Sequence, residues 1–288
     1  MLLPRITLTI ATSALVVRAA VAVFPVPSVV RDVGAIIQNS VAVTHQNVAV
    51  ASQFEHCERD VTRTGTKTYA VTMISGSPYS RLTAIDDKPL AEADRRQQQD
   101  NEDAARVARA GEAPDERARR LQKYERKFRR IRLLLEQLPA AFDFTSEGTQ
   151  LSEGFDAYVI RATPKRDYRP ASREAEVLNG MEVRLWIEQH SFQWIKAEAT
   201  VVRPVSLEGF LAEIERGTRF SLEQQPVAPN VWLPTKFSMR TRAKILFLLR
   251  HRTDVDETYF DYRRINSEGS RSDANRDSVA DCLPIGFN

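Results

Sequence analysis

Residues 181–202 read MEVRLWIEQHSFQWIKAEATVV, and the period-two order of that stretch decides what kind of layer it builds. The odd positions Met181, Val183, Leu185, Ile187, Ile195, Ala197, Ala199 and Val201 are apolar, whereas the even ones mix Glu182, Arg184, Trp186, Trp194, Lys196 and Glu198. Alternate residues of a strand point to opposite faces, so the two runs predict a hairpin with one apolar face and one mixed face that carries both tryptophans. Direct opposition of Trp186 and Trp194 would set Arg184 against Lys196 and Glu182 against Glu198, and like charges facing across strands are destabilising. A two-residue slip sets Arg184 opposite Glu198, or Glu182 opposite Lys196, and is the expected register.

Outward from this hairpin the alternation continues. Tyr69, Val71 and Met73, then Tyr79, Thr83 and Ile85, read as antiparallel strands turned by RTGT, SGSP and DDKP. After Pro139 come AFDFTSE, FDAYVIRATP, the 181–202 pair, GTRFSLEQQPV, NVWLPTKFSMRTR, KILFLLRHR and TYFDYRR, spaced as an antiparallel meander rather than as βαβ units. SLEGFLAEIERG, residues 206–217, is expected to be a short helix or an irregular crossing.

Two regions break the pattern. In residues 28–50, Val29, Val33, Ile36, Ile37 and Val41 recur at helical steps of three and four. Residues 89–138 are almost free of β-branched side chains and read as two helices. Asp86 and Asp87 before Pro89 mark the start, and Gly111 ends the first; Pro114 with Asp115 and Glu116 opens the second, and Pro139 stops it. In the second, Leu121, Tyr124, Phe128, Ile131, Leu135 and Leu138 form a heptad stripe. The first helix offers mainly Ala104, Ala105, Val107 and Ala108, so the stripe is expected on the sheet or on a bound or neighbouring molecule. Arg117, Arg119, Arg120, Lys123, Arg126, Lys127, Arg129, Arg130 and Arg132 surround it. A sheet with one apolar face can be half a sandwich, a barrel wall or a curved sheet closed by helices, and these helical regions favour the last. The expected fold is α+β: a curved antiparallel β-sheet packed on helices, with an inserted helical hairpin.

The chain opens MLLPRITLTIATSALVVRAAVA: Arg5 as a positive n-region, Ile6 to Val17 as an apolar h-region, and Ala20-Val21-Ala22 as an A-x-A cleavage signal. Arg18 interrupts the run, which is too short for the roughly 20 apolar residues of a membrane span. A secretory leader cleaved near Ala22 and a periplasmic location are expected. Net charge is +3 over the whole chain, so bulk charge points to no partner, and export disfavours nucleic acid. Cys57 and Cys282, the two cysteines, form a disulfide in an oxidising compartment only if the fold brings their Cα atoms within about 7 Å.

WIEQHSFQWIKAEATVVRP, GTRFSLEQQPVAPNVWLPTKFSMR and the closing ETYFDYRR resemble the succession in outer-membrane lipoprotein-sorting (LolA-like) proteins: a W-I-D/E strand, a charged return strand, V-W-L-P and a final Y-x-x-Y/F strand. Over residues 30–264 the chain is similar to exported bacterial proteins that add a charged helical insertion to this core. The resemblance implies an incomplete antiparallel β-barrel wrapped over helices, and carriage of lipids or lipoproteins through the periplasm. The expected organisation is a signal peptide at 1–22, a LolA-like half-barrel domain at 23–264 with its hairpin at 89–138, and a flexible C-terminal tail at 265–288. Ligand contact, to a lipid or lipoprotein acyl chain, is expected on the apolar face at Leu185, Ile187, Ile195 and Val201, where core packing is the competing role. Arg119, Arg126 and Arg130 are the expected contacts to an envelope protein partner or an anionic membrane surface.

No catalytic constellation stands out, so a non-enzymatic binding role is expected, without cofactor or metal. His45, His56, His190 and His251 are scattered without H-E-x-x-H or C-x-x-C, and no G-x-S-x-G or phosphate-cradling glycine loop occurs. His56 and Cys57 are strand neighbours and point apart. Asp254, Asp256 and Glu257 lack the glycine and terminal glutamate of a calcium loop and read as a charged hairpin turn.

Overall fold

The computed structural model describes residues 32–207, 212–245, 249–265 and 282; the expected leader, and the tail apart from Ile265 and Cys282, lie outside the described residues. Two local meanders make one antiparallel sheet. The first runs through β1 (Phe54–Thr62), β2 (Gly65–Ile74), β3 (Ser77–Ile85) and the two-residue β4 (Lys88–Pro89). The second comprises β5 (Phe142–Ser152), β6 (Phe155–Pro164), β7 (Met181–Glu188), β8 (Trp194–Val201), β11 (Arg219–Ala228), β12 (Val231–Ile245) and β13 (Leu249–Arg264). The order β4-β3-β2-β1-β13-β12-β11-β8-β7-β6-β5 leaves β4 and β5 as unjoined ends, so the sheet stays open. The join between the meanders is β1 against β13, with Cys57 opposite Phe260 and Asp60 opposite Glu257.

The segment at 206–217 is neither helix nor irregular crossing. Short strands β9 (Val205–Leu207) and β10 (Ala212–Ile214) pair with each other, and β10 also pairs with β12. KILFLLRHR is no separate strand either: Lys244 and Ile245 end β12, and Leu249 begins a β13 that runs through TYFDYRR. The period-two order simply continues across TDVDET, which is therefore mid-strand and not a turn.

Among the described residues three α-helices accompany the sheet. Helix α1 (Val33–Val50) is capped by Asp32, whose carboxylate accepts from Gly34 N. Its buried Asn47 is bonded on both sides, Nδ2 to Gln193 Oε1 at 2.6 Å and Oδ1 from Trp232 N at 3.2 Å, which ties the helix to β12 and to the β7–β8 connection. Helix α2 (Glu92–Ala110) starts later than the sequence predicts, because Asp86 and Asp87, at φ 48° and 60°, make the β3–β4 turn instead. Helix α3 (Pro114–Ala141) runs past Pro139 to Ala141: a proline in the last turn leaves one carbonyl without its amide partner but does not end the helix there.

The arms of the α2–α3 hairpin pack on different neighbours. Helix α2 lies on β2 and β3, whereas α3 lies mainly on α1 and the 3-10 segment Glu174–Gly180, with lesser contacts to β3 and β5. The two arms straddle the β2–β3 hairpin. Glu102 of α2 meets Thr72 at 3.4 Å and Arg81 at 2.8 Å on one face, whereas Lys127 of α3 acts on His56 and Glu58, which stand on the other. Arginines clamp the turn between them: Arg109 donates to Ile74 O and Ser77 O at 3.1 and 2.9 Å, and Arg120 donates to Ser77 Oγ at 2.5 Å. Gly76 is favoured by its φ of 85°, which side chains rarely adopt, and a Cβ there would also press on Leu121 of α3 at 3.2 Å. Cys57 and Cys282 are disulfide-bonded with Cα atoms 5.6 Å apart, and buried Cys282 packs with Cys57 and Ala70 on the α2 side.

Arg81 and Glu102 are both buried and form the central ion pair under α2. Arg81→Met removes one partner and leaves a buried carboxylate, so unfolding free energy measured in urea should fall by about 3–5 kcal/mol. A loss below about 1 kcal/mol would mean that Arg106, 2.5 Å from Glu102, carries the charge alone.

Candidate functional site

Helices α1 and α3 cover the same sheet face, and two groups of side chains lie beneath them. Toward β6–β8 the group is apolar: Ile36 and Ile37 of α1, Leu135 of α3, Ile160, Leu185, Ile187 and Trp194. Toward β1 and β13 it is polar and aromatic: His56, Glu58, Asp60, Glu257, Tyr259 and Tyr262.

The β7–β8 register sorts the apolar group. Arg184 stands opposite Glu198, the slipped pairing that charge demands, but a β-bulge follows: Trp186 faces Lys196 while Ile187 faces Trp194, leaving Ile195 as the extra residue. One added residue reverses the parity of what comes before it. Trp194 therefore joins Leu185 and Ile187 under the helices, while Ile195 joins Trp186, Trp232, Val159 and Ala157 on the opposite face. The expectation that the two tryptophans share a face, and that Ile195 shares one with Leu185, is corrected on both counts. Trp186 keeps its charged neighbours, with Arg184 and Lys196 each 5.2 Å from its ring centre.

Leu185, Ile187, Ile195 and Val201 are at most 2% exposed. Leu185 and Ile187 meet helix side chains, Ile195 the opposite face, and Val201 faces Met181 at the far end of the hairpin. The structure therefore does not bring the four into one site. One polar atom among the apolar group is unmatched: Trp194 Nε1 is buried without a hydrogen-bond partner, although Ser40, Thr44 and Asn47 of α1 all have theirs.

The heptad stripe of α3 is unevenly used. Leu135 is buried and Leu121, Tyr124 and Phe128 are half-buried, while Ile131 is 36% exposed. Arg119, Arg126 and Arg130 are exposed and, with Lys123, follow steps of four, three and four on the side away from the stripe, a row about 16 Å long. Arg119 pairs with Asp115 at 2.8 Å and Arg130 reaches Glu174 at 4.0 Å; Lys123 and Arg126 make no ion pair among the described residues.

Sequence reasoning missed the polar group, although its signal was present: His56, Glu58 and Asp60 alternate along β1 and so share a face. Oxygens of Glu58, Asp60 and Glu257 lie within 4.8 Å of one another, close enough to hold a hard divalent cation if all three were ionised. Burial, then the carboxylates of Asp60 and Glu257, push Glu58 up to about 7, and burial followed by Glu257 raises Asp60. Glu58 and Asp60 share a side-chain hydrogen bond for which a proton on Glu58 supplies the donor, while Asp60 Oδ1 is buried without a partner. Burial, with Lys127 second, lowers His56 to about 4, so its ring is neutral; it stacks on Tyr262 at 5.2 Å. Tyr259 donates to Glu257, and burial followed by that bond raises its phenol. Asp254 and Asp256 stand on the other face, paired with Arg252 and Arg240, so TDVDET does not converge on one ion. Cys57 is used in the disulfide and faces away from His56.

Glu58 and His56 give opposite pH slopes. A carboxyl raised from 4.5 to about 7 binds its proton more tightly when folded, so its contribution is full below 4.5 and is lost as pH rises through 7. A histidine lowered from 6.5 to about 4 is charged more readily when unfolded, so its contribution is full above 6.5 and is lost as pH falls toward 4. Glu58→Gln should therefore steepen the rise of stability between 4 and 6.5 and raise stability above pH 7, while His56→Phe should leave a net fall over the same interval, both read from urea midpoints. Parallel profiles for wild type and both variants would exclude this arrangement of charge.

No protein-family model and no curated protein matches the sequence. Among solved structures the chain is similar to a putative outer membrane lipoprotein-sorting protein domain from Vibrio parahaemolyticus, with 9% identity, a TM-score of 0.30 and coverage of 85% of this chain and 99% of that one. It is also similar to a DUF1329 family protein from Desulfovibrio piger, at 11% identity, a TM-score of 0.30 and coverage of 85% and 98%. A LolA superfamily protein from Nitrosomonas europaea is similar at 12% identity, a TM-score of 0.32 and coverage of 80% and 94%.

Proposed function

We propose that the chain is an exported, non-enzymatic bacterial envelope protein that binds a lipid or lipoprotein acyl chain between its sheet and helices α1 and α3. The observation that carries this reading is the unmatched indole N–H of Trp194 within the apolar group at the β6–β8 end of the helix-covered face. An acyl ester suits such a place: its chain replaces the apolar contacts of a displaced helix, and its carbonyl accepts from Nε1. The leader-like opening and the Cys57–Cys282 bond support an oxidising, extracytoplasmic compartment. Expression with export followed by mass spectrometry of organic extracts should recover bound lipid, and Trp194→Phe should weaken binding of a fluorescent acyl ester by about tenfold, the worth of one hydrogen bond. Protein repeatedly recovered without lipid, and indifferent to fluorescent fatty acids, would sink the reading.

A second reading is favoured by the filling of the interior around Leu185, Ile187, Ile195 and Val201. In it the core is scaffold, and the row Arg119, Lys123, Arg126 and Arg130 on α3 engages an envelope partner. Because α3 packs on α1 and β5, deleting the insertion would damage the fold, so charge reversal is the cleaner test. Arg119→Glu, Arg126→Glu and Arg130→Glu together should abolish capture of that partner while leaving acyl-probe binding within about twofold; partner capture that survives the reversal excludes this reading.

A further inference from the structure

A cleft of about 680 Å³ opens where the 3-10 segment Glu174–Gly180 meets the chain leaving β8, lined among others by Ser172, Arg173, Glu176, Asn179, Arg203 and Val205. Its floor is fixed by backbone. Gly180 O accepts from Val202 N and Arg203 N at 2.8 and 3.2 Å, and a Cβ at Gly180 would lie 2.6 Å from Arg203 O, so only glycine lets the two segments touch. The two segments thereby hold Arg173 and Arg203 at one opening.

Neither guanidinium forms an ion pair among the described residues. Arg203 Nη2 donates to Asn179 O at 2.5 Å, which orients the group and leaves its other donors unspent. Glu174, outside the lining, is held by its own backbone amide and Ser172, with Arg130 at 4.0 Å and then Arg173 as the cations that act on it. Glu176 remains as the one carboxylate in the lining, against two arginines. The side-chain amide of Asn179 makes no other hydrogen bond among the described residues and adds a neutral donor. Two forked cations with a neutral amide match a tetrahedral oxyanion better than a carboxylate, because each fork spans two oxygens of one phosphoryl group.

The cleft falls within the roughly 300–1,000 Å³ of small-molecule sites and has room for more than an anion. Behind it, Ala175 and Leu178 belong to an apolar cluster that shares Leu138, Phe144 and Val183 with the helix-covered group. We propose that this cleft is a binding site for an organic phosphate, the phosphoryl group held by Arg173 and Arg203 and the attached organic group lying along the cleft.

Calorimetric titration of the full exported chain tests this with three probes: inorganic phosphate, glycerol 3-phosphate, and vesicles of phosphatidylglycerol set against phosphatidylcholine. Glycerol 3-phosphate should bind at least tenfold more tightly than inorganic phosphate, and Arg173→Gln with Arg203→Gln should reduce that binding at least tenfold at unchanged circular dichroism. Both arginines are exposed, so the variant should fold. Vesicle binding lost in the double variant but kept in the Arg119, Arg126 and Arg130 reversal identifies a lipid headgroup as the source; glycerol 3-phosphate binding without vesicle binding identifies a soluble phosphate. No binding of any probe, or equal binding by the double variant, overturns the proposal.

Discussion

The pairing of β1 with β13 is the constraint on which the other contacts rest. Every other strand pair along the sheet is closed locally or within one meander, whereas this ladder joins Phe54 to Arg264. Long-range closure carries a large entropic cost, and here a second link crosses the same seam: Cys57 on β1 is bonded to Cys282, 225 residues away. The seam also sets His56, Glu58 and Asp60 of the first meander against Glu257, Tyr259 and Tyr262 of the second. Neither half contains that cluster alone.

From the seam follows the placement of the helices. At the β2–β3 hairpin the sheet is covered on both faces, because the chain sends α2 along one and α3 along the other. The alanine-rich α2 covers a face whose contacts are the Arg81–Glu102 pair and small side chains, so it needs little apolar bulk. The leucine-rich end of α3 reaches the deepest group through Leu135, while its basic surface faces outward. Arg109, at the end of α2, and Arg120, in the second turn of α3, hold the crossing point by bonding to carbonyls and the hydroxyl of one tight turn.

On the helix-covered face, polarity is graded from one end to the other. Ile160, Leu185 and Ile187 make an apolar end at which an unmatched Trp194 N–H is conspicuous, and Glu58 and Asp60, both raised by burial and by neighbouring carboxylates, mark an end where ionisation is disfavoured. Desolvation explains both, since a medium that cannot hydrate an ion also cannot satisfy an indole donor.

Much of this was legible in the residues. Alternation marks the strands, Asp86-Asp87 and Ser75-Gly76 mark turns, heptad spacing marks the stripe of α3, and the opposed charges of Arg184 and Glu198 select the register of the central hairpin. Those features are local, and a short window of side chains contains the forces that decide them. Three things were settled only in the folded chain. The bulge at Ile195 moved Trp194 to the other face because parity depends on one unpaired residue that no periodicity marks. The cluster of His56, Glu58, Asp60 and Glu257 required two strands distant in sequence to become neighbours. The cleft at Arg173 and Arg203 exists because Gly180 permits a backbone approach that any side chain would block. Sequence determined which runs alternate as strands and which charges can meet; tertiary structure decided where that alternation breaks and which faces meet each other, because that choice depends on long-range closure and on steric fit between segments that no local pattern encodes.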